Sequence, residues 1–271
     1  MNSWMGLLKK DFLLMRNRFM IFLLLDLVAF GLGWYLHIRE IGFSSTTNIN
    51  WVMNENDFIK FIPLAIALGI HVFFIADYLF TSLRKEGKQL HLWLHSPQAA
   101  TVLLGSKLVN GFIALITSLV LLTILITINL IPFLSELSFY LGDISKLFFY
   151  LVAHIAYISL ILGVSIMFFW TIYHGLKSRI GKLSMLVLII FITLFIWGSL
   201  SLEYTDMYDQ LVLWGEYTIE FPVLEIINDH SEMDIEGMGI SHNIGENIFE
   251  VLLALLLFVL SAWMIEKKVE V

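Results

Sequence analysis

Six apolar runs divide the chain, roughly Phe19 to Leu36, Phe58 to Phe80, Val102 to Ile131, Leu147 to Ile172, Leu183 to Leu202 and Ile248 to Ile265. Each holds about 18 or more residues, enough for a helix to cross a hydrocarbon layer about 30 Å thick. Peptide groups in lipid find no water, so helices that satisfy their own backbone are the expected spanning form. The pattern therefore predicts an all-α, polytopic membrane protein with six transmembrane helices. The third run approaches 30 residues, which implies tilt or a helix that continues past the bilayer.

Between the runs, three segments carry structure of their own. Before the first run, Trp4, Leu8, Phe12, Met15 and Phe19 recur at helical spacing, with Lys9 and Arg16 on other faces. This predicts an amphipathic interfacial helix over residues 1–18 that lies in the headgroup region, anchored by Trp4, Lys9 and Lys10. The plainer alternative is a cytosolic extension of the first span. The segment 84–101 contains Gly87, a short apolar stretch from Leu90 to Leu94, and Ser96-Pro97, which should end a helix. The segment 203–247 is long, acidic and without lysine or arginine. Its stretch YTIEFPVLEII predicts short helices that re-enter or rest on the membrane surface, against a purely solvated loop. The connection from Ile38 to Asp57, with SSTTNIN, reads as an exposed loop.

Charge orients this pattern. Lys9, Lys10, Arg16 and Arg18 precede the first run, and Arg84, Lys85, Lys88 and Lys107 are assigned to the connection between the second and third. Lys177, Arg179 and Lys182 lie between the fourth and fifth, and Lys267 and Lys268 follow the sixth. Arg39, Lys60 and Lys146 fall in the other set of connections. Basic residues near spans are retained on the cytoplasmic side. One assignment follows, with both termini cytoplasmic and the acidic segment 203–247 outside.

Composition agrees with a membrane chain: mean hydropathy is +0.85, 59% of residues are hydrophobic and 14% charged. Cysteine is absent, which excludes disulfides, thiolate catalysis and cysteine metal sites. A bacterial plasma membrane suits such a chain. The first run begins near residue 19, carries Asp26 and lacks a clean small-residue cleavage site, so it reads as a retained span. All six spans form a single transmembrane domain, residues 1–271.

Motif by motif, enzyme chemistry finds little support. Gly175 to Lys182 superficially resembles a phosphate loop, but five residues separate its glycines and Leu183 follows Lys182. His91 and His95 stand four apart without the glutamate or further ligands of a zinc site. His230 and His242, among outer carboxylates, read as weak cation ligands or as solvated polar residues. No catalytic, cofactor or metal residues are assigned, and abundant aromatics mark interface belts rather than a nucleic-acid surface. Asp26 and His71 fall at comparable depth in the first two spans, where a charge costs about 2.5 to 3.5 kcal/mol on insertion scales. They are either an intramembrane polar contact lining a path or separate groups, Asp26 being protonated or hydrogen-bonded at a helix contact. Asp77, near the inner end of its span, reads as solvated.

The arrangement resembles the permease subunit of an ABC-2 type exporter over essentially the whole chain. WMGLLKKDFLLMRNRF precedes six spans, RKEGKQLHLWLHSP followed by SKL matches the family's cytoplasmic segment, and Phe221-Pro222 sits in its outer re-entrant region. The resemblance implies two permease subunits, identical or different, facing each other above two separate ATPase subunits that bind ATP. It places ATPase coupling at Glu86, Gly87, His91, Trp93 and Pro97. The other classes are a non-transporting immunity or sensory membrane subunit, and an intramembrane enzyme, for which the spans offer no paired nucleophile and base.

Overall fold

A computed structural model of the chain describes residues 3–43, 59–87, 98–131, 141–222 and 237–268. In chain order the elements are α1 (Ser3–Phe43), α2 (Ile62–Ile70), a 3-10 turn (His71–Phe73), α3 (Phe74–Glu86), α4 (Ala100–Leu130), α5 (Leu141–Ile180), a second 3-10 turn (Gly181–Leu183), α6 (Ser184–Glu203), α7 (Asp206–Val212), strands β1 (Glu216–Pro222) and β2 (Gly237–Asn243), and α8 (Ile244–Lys268). Five helical stretches are long and apolar enough to cross a membrane. One of them, Ile144–Glu203, has 60 residues and doubles back. Gly181 takes a left-handed φ of 57°, and Phe169 then meets Phe191 and Phe195 across the α5–α6 hairpin. Six passes result.

α1 explains why the expected interfacial helix does not form as a separate element. No proline or glycine pair interrupts residues 16–19, and the 41-residue helix continues for about 60 Å at the α-helical rise. The plainer extension of the first span is what the structure contains. Its buried stripe is also not the apolar one. Asp11, Met15, Phe22, Asp26 and Ala29 face inward at three-, four- and seven-residue steps, whereas Trp4 and Phe12 are exposed. Asp11 belongs to that stripe because α4 presents it with partners described below.

The second pass is broken at its middle. Just past the 3-10 turn, the Ile75 amide donates to the Ser159 hydroxyl of α5 at 3.2 Å. Gly163 permits this approach: a Cβ there would stand 2.4 Å from Ile75 Cγ2. α1, α3, α4, α5 and α8 enclose the main core, which contains Phe74, Tyr78, Leu104, Leu115 and Met167. α6 lies at the periphery, with Ser184 its buried residue.

Residues 216–222 correct the expectation of short helices in the outer segment. Tyr217, Ile219 and Phe221 alternate with Glu216, Thr218 and Glu220, a period-two pattern that suits a strand. β1 pairs antiparallel with β2, with Ile219 opposite Ile240. The remainder of YTIEFPVLEII lies outside the described residues, as do most of the Ile38 to Asp57 loop and the Leu90 to Leu94 stretch.

Gly33 and Gly31 supply a matched test of how α1 meets α2. A Cβ at Gly33 would fall 2.3 Å from the Lys60 carbonyl oxygen, while one at Gly31 meets nothing. Gly33→Ala should destabilise by about 1–3 kcal/mol through forced separation. Gly31→Ala should stabilise by about 0.5–1 kcal/mol through helix propensity. Thermal unfolding of both variants in one detergent would check the opposite signs.

Candidate functional site

Two buried polar clusters stand out, and both sit where α1 packs on α4. The first lies at the end of the bundle where α1 begins, α3 ends and α4 begins. Lys107 is 1% exposed. Its ammonium donates to Asp11 Oδ1 at 2.8 Å and Ser82 Oγ at 3.0 Å, and meets Glu86 Oε2 at 3.0 Å. Two hydrogen bonds and an ion pair thus hold the ammonium. Ser106 Oγ donates to Asp11 Oδ2 at 2.5 Å, and Lys10 pairs with Glu86 Oε1 at 2.8 Å. Two lysines balance two carboxylates, so the cluster is neutral despite its burial.

Lys107 therefore does not belong to a cytoplasmic connection, as its charge alone suggested. It stands inside α4 because a long lysine stem can lie among apolar side chains when its head reaches acids. Lys60, counted with the outer loops, is also buried, with its ammonium 5.5 Å from the Phe61 ring centroid. Asp77 is partly exposed as expected, but paired with Arg18 at 3.4 Å.

Both roots of the segment between α3 and α4 are pinned. At the α3 side Glu86 is held by Lys10 and Lys107. Gly87 packs so closely on α5 that a Cβ would lie 2.9 Å from His174 Nε2 and 3.2 Å from Trp170 Cζ2. At the α4 side, Glu266 of α8 accepts the Ala100 amide at 2.9 Å. That carboxylate also sits favourably at the positive helix start. His91, Trp93 and Pro97 lie outside the described residues. Of the proposed anchors, Lys9 is exposed, Lys10 joins the cluster, and Trp4 reaches toward Gly105 of α4.

Asp26 and His71 come together in the second cluster, both 0% exposed. Ser118 of α4 stands between them, 3.0 Å from Asp26 Oδ2 and 3.0 Å from His71 Nε2. Asp26 Oδ1 lies 3.7 Å from His71 Nε2, and His71 Nδ1 donates to the Ala67 carbonyl at 2.8 Å. The rings of Phe22 and Phe74 pack against the imidazole.

The opposite end of the bundle carries a tyrosine-rich belt. Tyr157 donates to Glu250 Oε2 at 2.6 Å, Asn247 donates to Tyr217 Oη at 3.2 Å, and Tyr150 is hydrogen-bonded to His242 of β2. These bonds fasten the hairpin and the start of α8 to α5. Burial, then the carboxylates of Glu246, Glu203, Glu250 and Asp209, push the Tyr208 phenol above its ordinary range. It stays neutral among those acids. Among the described residues no group of three or more His, Asp or Glu is placed to hold a metal ion.

Reading along the chain missed Asp11, Ser82, Ser106, Lys107, Ser118 and Glu266. Two signals pointed their way: Asp11 is the one acid among the bases of the first 18 residues, and Lys107 interrupts an apolar run.

The chain is similar to uncharacterized protein YhcE of Bacillus subtilis (strain 168), 29% identical over 197 residues, 72% of each chain. No protein-family model matches, and no solved structure matches.

Lys107→Met should cost about 3–5 kcal/mol, because it leaves the Asp11 carboxylate buried without its cation, Glu86 keeping Lys10. Lys10→Ala removes a half-exposed partner and should cost less than about 1 kcal/mol. Chemical denaturation in detergent would check the ranking, and equal effects would contradict the burial argument.

Proposed function

We propose that this chain is the membrane-spanning subunit of an ATP-binding cassette exporter, working as one of two permease subunits above separate ATPases in a bacterial plasma membrane. The observation that supports it best is the anchoring of segment 88–97. A push delivered from outside the bundle moves spans only if its point of application is rigidly rooted. Here the roots are tied to α1, α4, α5 and α8 through Lys10, Lys107, His174 and Glu266. Buried ion pairs resist local separation because parting them leaves charges without water.

In this reading the end carrying Asp11, Glu86 and Lys107 faces the cytoplasm, with Glu86, Gly87, His91, Trp93 and Pro97 transmitting ATPase closure. ATP belongs to the partner subunit. α7 and the β1–β2 hairpin, tied to α5 and α8 by the tyrosine belt, form the outer gate, and lipid surrounds the exposed apolar faces. Peptides, antibiotics and lipid-like molecules are the cargo classes suited to such apolar spans.

Because the native chain has no cysteine, single cysteines report orientation directly. In whole cells, cysteine at Lys9 or Lys177 should resist a membrane-impermeant maleimide, whereas cysteine at Asp209 should react. The reverse pattern would overturn the orientation. For function, the chain should co-purify with an ATPase whose activity it stimulates, and polar replacements across Leu90 to Leu94 should abolish that stimulation. A chain that never associates with an ATPase would favour the non-transporting membrane subunit instead.

A further inference from the structure

The Asp26–Ser118–His71 cluster has a hydrogen-bond arithmetic that admits two arrangements. The Ala67 carbonyl can only accept, so His71 Nδ1 carries hydrogen in both. In one arrangement Nε2 is also protonated and donates to Ser118 Oγ, and the serine hydroxyl donates to an ionised Asp26 Oδ2. In the other, Asp26 Oδ2 is protonated and donates to Ser118 Oγ, and the serine hydroxyl donates to a bare Nε2. The bonds to Ala67 and Ser118 are made in both, and Asp26 Oδ1, 3.7 Å from His71 Nε2, has no hydrogen-bond partner among the described residues in either. Both are neutral overall, and both hold one proton beyond the neutral imidazole and the serine hydroxyl.

Other proton counts fail here. With the proton gone, Nε2 and Oδ2 are two acceptors competing for one serine hydrogen, and a net negative charge remains in a fully buried site. With a second proton, Nε2 and Oδ2 both donate to Ser118 Oγ, the serine hydrogen has no partner in the cluster, and the charge is positive. The nearest charged groups identified on α1 and α3, Arg18 and Asp77, neutralise one another at 3.4 Å, about 12 Å along α1 from Asp26 at the α-helical rise. From α5 the neighbouring polar group is the Ser159 hydroxyl on the Ile75 amide.

The geometry points to Asp26, Ser118 and His71 as an intramembrane binding site for a single proton, relayed through the Ser118 hydroxyl. In the relay the Asp26 Oδ2–H bond breaks as a new Ser118 Oγ–H bond forms, and the original Ser118 hydrogen moves to His71 Nε2. No atom leaves the site. The bound proton joins α1, α4 and the 3-10 turn that interrupts the second pass, three elements that would otherwise meet through opposed acceptors. The assignment is independent of the exporter reading.

Solid-state NMR of the full chain in lipid, with ¹⁵N-histidine and ¹³C-aspartate labels, reads the count directly. Signals are assigned by their loss in Asp26→Asn and His71→Gln. Near neutral pH, the protonated fraction of His71 Nε2 and the protonated fraction of the Asp26 carboxyl should sum to one, whichever arrangement dominates. A sum of zero, with Asp26 ionised beside a bare Nε2, overturns the proposal, as does a sum of two. In Asp26→Asn the carboxamide can donate to Ser118 as the acid did, so His71 Nε2 should be wholly unprotonated. A persisting imidazolium in that variant would also overturn it. Should a variant fail to fold, selective labelling with assignment through sequential backbone correlations gives the same sum on the native chain.

Discussion

A buried lysine hydrogen-bonded to Asp11 and Ser82 and paired with Glu86 is the interaction on which this end of the bundle depends. In a membrane the alternative to a good partner is hydrocarbon, and an unpaired ammonium there is strongly disfavoured. Lys107 consequently dictates where α1 and α3 must stand relative to α4. It draws the first turns of α1 into the bundle, so the helix continues straight into its span. It also fixes Glu86, the last residue of α3, from which the next segment departs.

The same reasoning applies along the α1–α4 contact. Further along α1, Asp26 meets Ser118 and His71 within a wall of Phe22 and Phe74. The interruption at His71–Phe73 and this cluster belong together. His71 shares the Ala67 carbonyl, while Ile75 donates its amide to Ser159 of α5. Beyond it, Gly33 lets the Lys60 carbonyl touch α1. A charge clasp and a proton-sized polar relay thus hold α1 on α4 at two depths, and a close backbone approach sets α1 against the start of the second pass.

Around this axis the remaining passes differ in how tightly they are held. α5 packs on α3 through Gly163 and on α8 through the tyrosine belt, whereas α6 leaves nearly its whole surface exposed. A transporter moving by rocking of spans needs both kinds of element. The rigid set holds Glu86, Gly87 and Ala100, which flank the segment proposed to receive the push.

Much of this architecture was legible along the chain, because the physics behind it is local. Runs of apolar residues long enough to cross hydrocarbon predict helices whatever their neighbours, and the alternation of basic segments pairs the ends of those helices. Asp26 and His71 were legible as oddities for the same reason. What the chain could not disclose was partnership. Asp11 and Lys107 are 96 residues apart, and nothing local distinguishes a lysine held by acids from one reaching solvent. The strand at Glu216–Pro222 likewise needed a second strand to decide against a helix. The sequence by itself determined which segments form helices long and apolar enough to cross a membrane, since transfer into lipid is a sum over residues. Only the tertiary structure decided which buried charges and hydroxyls satisfy one another, since hydrogen bonds and ion pairs depend on ångström distances between segments far apart in the chain.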